Sequence, residues 1–201
     1  MTALKLLLSA AVGYLLGCFS TGLMVSGKSK VDIRNLGSKS TGATNVTRVM
    51  GLRSGLITFL GDAVKAALAV LFGFWVAGRD GGLMAGLAAI IGHNWPVFYG
   101  FKGGKGIACS VAILLLNTPM EGAIACVLAV LAIAITRYVS LGSLTLLLSA
   151  AVMLPFTRGL WPYGIWAIIL FIIATYRHRS NIKRLLKGEE SKFTGGKQAN
   201  V

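Results

Sequence analysis

Acidic side chains are scarce in this chain: Asp and Glu together number six, against 20 Lys and Arg, in 201 residues. A two-metal site needs a cluster of carboxylates, so a metal-dependent phosphotransferase is disfavoured. There are only two histidines, His93 and His178, and the positions five residues beyond them hold Phe98 and Lys183. A histidine–aspartate dyad at that spacing is therefore excluded. The three cysteines (Cys18, Cys109 and Cys126) lie in apolar surroundings, odd in number and without metal-ligand spacing, so they read as packing residues and not as a disulfide or zinc site. No glycine precedes Gly104-Lys105 at the distance a Walker A loop requires, and Gly106 stands where Ser or Thr would bind magnesium, so nucleotide hydrolysis gains no support.

What is abundant is apolar sequence. The chain is 55% hydrophobic and 13% charged, with a mean hydropathy of +0.75, a composition that calls for the bilayer as solvent. Apolar runs fall near residues 3–26, 52–77, 81–98, 107–117, 120–136, 139–157 and 160–176. A perpendicular crossing takes about 20 residues, with a range of about 17–25, so the run 107–117 is short. Asn117-Thr118-Pro119 separates it from the next run, and proline breaks a helical pattern. The first run, Leu4 to Val25, is too long for a signal-peptide core and reads as a retained transmembrane helix. The predicted architecture is an all-α integral membrane protein, with residues 1–201 as one multi-span domain.

Charge sets the orientation. The loop 27–50 carries Lys28, Lys30, Arg34, Lys39 and Arg48 against Asp32. The tail carries Arg177, Arg179, Lys183, Arg184, Lys187, Lys192 and Lys197. Both should face the cytoplasm. In a soluble protein such a balance would raise nucleic acid as a partner; here the bases mark topology, and no nucleic acid is expected. Placing both basic segments on one side requires 107–136 to cross twice or to re-enter. The expectation is seven transmembrane helices, N-terminus outside and C-terminus cytoplasmic, with five spans plus a re-entrant hairpin as the alternative. Loops 27–50 and 99–106, the turn at Arg137 and the tail then share the cytoplasmic face.

Four polar segments interrupt the apolar sequence. Ser29 to Arg48 crowds hydroxyls, amides and two glycines into one juxtamembrane loop, which suits a phosphate or oxyanion but also suits ordinary helix capping. Gly92-His93-Asn94-Trp95-Pro96 followed by Phe101-Lys102-Gly103-Gly104-Lys105-Gly106 can turn backbone N–H groups toward an anion and neutralise it with lysine. His93 can accept a proton or hydrogen-bond a substrate, or simply pack at the interface. Arg137-Tyr138-Val139-Ser140-Leu141-Gly142-Ser143 and His178-Arg179-Ser180-Asn181 are basic flanks in which Ser143 and Asn181 are not explained by topology. Within a span, Asp62 and Lys65 sit three residues apart on one helix face; a mutually neutralising structural pair and a proton or substrate path are the two readings.

Together these segments resemble the acyl-phosphate:glycerol-3-phosphate acyltransferases of bacterial inner membranes, the PlsY family, over nearly the whole chain. Family members are similar to Ser29-Lys30 followed by Asp32-Ile33-Arg34, then Gly37-Ser38-Lys39-Ser40-Thr41-Gly42-Ala43-Thr44-Asn45, with Ser40 here in place of the usual asparagine. The resemblance continues through Gly92-His93, Pro96, Phe101 to Gly106, Arg137-Tyr138, Ser140, His178, Asn181-Ile182, Arg184-Leu185, Gly188 and Glu190. It implies transfer of a fatty acyl group from acyl-phosphate to the 1-hydroxyl of glycerol-3-phosphate, releasing lysophosphatidate and inorganic phosphate, as the first acylation of phospholipid synthesis. It implies His93, Ser38 and Asn181 as catalytic residues. Arg48, Asn45, Lys102, Gly103, Gly104, Lys105, Arg137 and Ser143 would bind substrate. No metal or cofactor is implied. The base would be His93 or the substrate's own phosphate. The partners implied are the two substrates, the lipid bilayer and, functionally, the enzyme that makes acyl-phosphate; a monomeric state is admissible. The implied location is the bacterial inner membrane, with the active site facing the cytoplasm.

Two rival readings use the same residues. An organophosphate transporter would need access from both faces and usually shows a repeated half, which this sequence lacks. A purely structural subunit would have no use for the glycine–lysine loop.

Overall fold

The computed structural model describes residues 2–193; Lys197 of the basic tail lies outside them. Among these residues the chain forms nine α-helices: α1 (Thr2–Cys18), α2 (Thr21–Lys28), α3 (Ala43–Met50), α4 (Leu52–Asn94), α5 (Ile107–Asn117), α6 (Pro119–Thr136), α7 (Val139–Thr157), α8 (Ile165–Arg177) and α9 (Arg179–Leu186). They fall into two compact units, the first running to Ile113 and the second starting at Leu114, so that the division lies within α5.

The surface is what water would not tolerate. Trp75, Ile135 and Phe156 are each more than 80% exposed, and Leu4, Met120 and Val130 are also prominent on the outside. Large apolar residues point outward on helices that are apolar all round, which is the signature of lipid contact. Five helical segments are long and apolar enough to cross a membrane: Thr2–Lys28, Leu52–Tyr99, Pro119–Thr136, Val139–Thr157 and Leu160–Arg177. The chain is an integral membrane protein.

Two of these segments are not simple rods. Thr2–Lys28 breaks after Cys18, and Ser20 caps the next helix by accepting from the Leu23 N–H. The 43 residues of α4 would extend about 65 Å at 1.5 Å per residue, about twice the hydrocarbon core. Instead α4 turns back at Ala77 and Gly78, whose backbones are non-helical, with Gly78 at φ 59°. Gly73 and Gly81 then face one another so closely that a Cβ on either would strike the other's carbonyl oxygen. The conformation of Gly78 is one that side chains resist, so glycine makes this reversal cheap. The short helix α5 reverses similarly into α6 at Thr118, with Pro119 at the first position of α6 and Gly122 lying against the Leu114 backbone.

In the first unit, α1 packs on the second leg of α4 through small residues. A Cβ on Gly13 would strike the Ala85 carbonyl, one on Gly17 the Ala89 carbonyl, and one on Gly92 the Tyr14 carbonyl. Membrane helices gain little from apolar burial against one another, so close backbone approach supplies the contact. In the second unit α6 and α7 pack through Gly142 against Ala129 and Ile133. There Arg158 pairs with Glu121 at 2.8 Å, at the positive end of the α6 helix dipole.

Candidate active site

The first polar loop is organised by one side chain. Asn45, at the start of α3, is buried, and its Oδ1 accepts from the Ser38 N–H at 2.8 Å. Its Nδ2 donates to the carbonyls of Leu36 at 3.0 Å and Ser40 at 2.9 Å, with the Ile33 carbonyl at 3.3 Å. Two amide protons thus serve three carbonyls, and the carboxamide is consumed in shaping residues 33–40. Both donors of Asn45, expected from the sequence to bind substrate, point at backbone carbonyls of the loop. Asp32 forms a second local clip, bonding both Nε and Nη2 of Arg34 and capping the turn Ile33–Asn35. These bonds from Arg34 hold the Asp32 carboxyl below its ordinary pKa. Ser38 remains half-buried beside the clip, and Arg48 and Lys39 are exposed.

The second cluster gathers Asp62, Lys65 and His93. Lys65 Nζ pairs with Asp62 Oδ1 at 2.9 Å and meets His93 Nδ1 at 2.9 Å. It also donates to the carbonyls of Gly17, at 3.0 Å, and Phe19. Those carbonyls belong to the break after α1, where a helix end leaves acceptors without intrahelical partners. All three side chains are buried. His93 also fixes the glycine loop: its carbonyl accepts from the Gly104 N–H at 3.1 Å, and a Cβ on Gly104 would strike its Nε2. A Cβ on Gly103 would likewise strike the His93 carbonyl oxygen. Glycine is required at both positions because the loop backbone presses on the imidazole and its main chain. Lys102 is exposed, Lys105 half-buried, and Gly103 and Gly104 are buried.

In the second unit the centre is Glu190. Its Oε1 accepts from Ser140 Oγ at 2.9 Å and Asn181 Nδ2 at 2.7 Å, and its Oε2 accepts from Arg184 Nε at 2.7 Å. Burial opposes its charge, but the bonds from Asn181, Arg184 and Ser140 outweigh it and hold the carboxyl below its ordinary pKa. Of the predicted residues here, Asn181 is buried against Glu190, Ser143 is buried with its Oγ donating to the Val139 carbonyl at 2.8 Å, and Arg137 is exposed in a left-handed conformation at φ 63° that ends α6. The Ser143 hydroxyl proton is directed at its own helix.

Ser38, Asn45, Arg48, His93 and the Gly103-Gly104 loop therefore belong to the first unit, and Arg137, Ser143 and Asn181 to the second. Sequence reasoning missed Glu190 as a hub; as one of six acids, set in a basic tail, it carried a signal. It also missed Asn94, which is fully buried with neither amide atom hydrogen-bonded among the described residues.

The fold and these clusters define a multi-span membrane protein with buried polar side chains and glycine–lysine chemistry suited to anionic ligands. Its sequence matches the family described as glycerol-3-phosphate acyltransferase over residues 7–188. It is 43% identical over 187 residues to a glycerol-3-phosphate acyltransferase of Thermoanaerobacter pseudethanolicus, covering 92% of this chain and 94% of the relative. It is also similar to crystal structures of PlsY (YgiH), an integral membrane glycerol 3-phosphate acyltransferase. The glycerol 3-phosphate form matches with a TM-score of 0.89 and 36% identity, over 94% of this chain and 95% of that one. The lysophosphatidic acid form matches with a TM-score of 0.86 and 34% identity, over 94% and 96%. The chain belongs to the glycerol-3-phosphate acyltransferase family.

Proposed function

We propose that this protein transfers the fatty acyl group of acyl-phosphate to the 1-hydroxyl of sn-glycerol-3-phosphate, giving lysophosphatidate and inorganic phosphate. The observation that carries the reading is the near full-length likeness to an acyltransferase known in a glycerol 3-phosphate form and a lysophosphatidic acid form, an acceptor and its acylated product. The donor is inferred from the motif resemblance and from chemistry: acyl-phosphate is already activated, so no covalent enzyme intermediate is needed.

In the proposed step the acceptor hydroxyl oxygen attacks the acyl carbonyl, the bond from that carbon to the phosphate oxygen breaks, and inorganic phosphate leaves. The hydroxyl proton passes to a substrate phosphate, whose second dissociation lies near neutrality. Arg48, Lys102, Lys105 and Arg137 supply charge to the phosphates, and Gly103 and Gly104 supply backbone shape. Ser38 and Asn181 orient the reacting groups and His93 has a supporting part. Asn45 acts by holding the Ser38 loop, and Ser143 through its hydroxyl oxygen.

The proposed topology has seven crossings, with the N-terminus outside and the C-terminus, site and basic loops on the cytoplasmic side of a bacterial inner membrane. The reversal of α4 at Ala77–Gly78 supports it, because the five long segments then supply six legs and α5, about 16 Å long, the seventh. Residues 1–201 act as one acyltransferase domain, supplied by the enzyme that makes acyl-phosphate and able to work as a monomer without cofactor.

The test is to purify the protein in detergent, add acyl-phosphate and glycerol-3-phosphate, and measure phosphate release beside lysophosphatidate formation. Matched appearance of both, dependent on glycerol-3-phosphate and absent with acyl-CoA, is expected. Folded protein that forms neither product would overturn the reading, and uptake of phosphorylated solutes into liposomes would then test a transporter.

A further inference from the structure

We infer that Lys65, held by Asp62, is a positioning residue that fixes the tautomer and orientation of the His93 imidazole and thereby the shape of the Gly103-Gly104 loop. An ammonium group has three N–H bonds and no lone pair. Around Lys65 Nζ stand three hydrogen-bond acceptors, the Gly17 and Phe19 carbonyls and His93 Nδ1, with Asp62 Oδ1 beside them as the ionic partner. The two carbonyls take two of the N–H bonds, and the ring nitrogen 2.9 Å away presents its lone pair to the third.

The competing partner for Nδ1 is the Asp62 carboxylate, which would require a proton on Nδ1. It lies at 3.7 Å, beyond hydrogen-bond range, whereas Lys65 is within it. The proton of a neutral His93 therefore resides on Nε2, the nitrogen that abuts Gly104. A ring nitrogen that already bears a proton cannot accept one. His93 in this arrangement is a donor and a wedge, not a general base.

The same ammonium ties the ring to the break after α1. Lys65 on the first leg of α4, the Gly17 and Phe19 carbonyls, and His93 at the end of the second leg are joined at a single nitrogen. Asp62, one turn from Lys65, neutralises a charge that burial would otherwise make costly. The glycine loop is in turn seated on the His93 ring and carbonyl. Loss of the Lys65 donor frees the ring to exchange tautomers, and the loop loses its fixed seat.

With two histidines in the chain, 15N-histidine NMR of the full-length protein in detergent reads this directly. His178 provides an internal contrast, since its Nδ1 lies 2.8 Å from the Ala174 carbonyl and must donate to it. The ring signal removed by His93→Gln should show a pyridine-like Nδ1 and a pyrrole-like Nε2, and His178 a protonated Nδ1. Lys65→Met should move only the His93 signals toward a mixture of tautomers, with Lys65→Arg restoring part of the wild-type pattern. A protonated Nδ1 on His93 in the wild-type protein would overturn the inference, and that measurement requires no variant to fold. The kinetic consequence rests on the acyltransferase reading: kcat/KM of Lys65→Met should fall by about 10²-fold, as for a small misplacement near the reacting groups. A folded Lys65→Met with the wild-type ring pattern would refute the positioning role even if activity fell. Absence of activity in wild type, beside the expected ring pattern, would refute the enzyme reading alone.

Discussion

Asn45→Ala removes the single side chain that organises the Ser38 loop, and its effect can be worked from the four contacts it makes. The carboxamide accepts from the Ser38 N–H and spreads two donors over the carbonyls of Leu36, Ser40 and Ile33. A neutral hydrogen bond contributes about 0.5–1.5 kcal/mol net, so losing three full bonds costs about 3 kcal/mol. Leu36 and Gly37 are exposed, so water reaches part of the loop and the local loss falls to about 2 kcal/mol. At 1.4 kcal/mol per decade this corresponds to about 30-fold easier local opening. Hydrogen exchange in detergent reads it at one amide: Ser38 N–H, protected by Asn45 Oδ1, should exchange about 30-fold faster, while amides within α7 stay unchanged. Activity should fall with it, since Ser38 rides on this loop. Exchange at Ser38 within threefold of wild type in a folded protein would refute the reasoning, for the loop would then be held by something else.

Further outcomes follow from the other clusters. Arg48→Ala should raise the KM for glycerol-3-phosphate or acyl-phosphate tenfold or more, because a charge-assisted bond is worth about 1.5–3 kcal/mol; steady-state kinetics with unchanged KM for both would contradict phosphate binding. Glu190 has a depressed pKa in the folded protein, so its contribution is present above the unfolded value of about 4.3 and is lost as pH falls through the lower folded value. Thermal melts between pH 3 and 7 should show this loss in wild type and a flatter acid limb in Glu190→Gln; parallel limbs would contradict it. Gly104→Ala forces a methyl group onto the locked His93 ring, and overpacking of this kind costs about 1–3 kcal/mol. A Tm drop of about 2–4 °C per kcal/mol and a fall in kcat/KM should appear together, and full activity would show that the loop yields freely.

Much of the fold was legible because its signals are local. Run lengths marked the lipid-facing helices, and the gap between the apolar runs 52–77 and 81–98 marked the reversal of α4, since a bilayer-spanning helix must be apolar over a fixed length. The spacing of Asp62 and Lys65 put them on one helix face, where they indeed pair at 2.9 Å. The partners of that pair were not legible. His93 is 28 residues away and Gly17 is 48 residues away, and they meet Lys65 only because α4 folds back and α1 packs against its second leg through glycine and alanine.

For the polar residues, composition identified the segments and tertiary structure assigned what each group does. A sequence displays Asn45, Ser143 and Asn181 as donors in waiting. The structure commits Asn45 to loop carbonyls, Ser143 to its own helix and Asn181 to Glu190. Sequence by itself determined that this chain lives in a membrane and carries phosphate-suited loops, because hydropathy and residue chemistry are properties of short stretches. Which hydrogen bonds those residues have already made was decided only by the fold, because a buried polar group takes the partner that distant helices bring within about 3 Å.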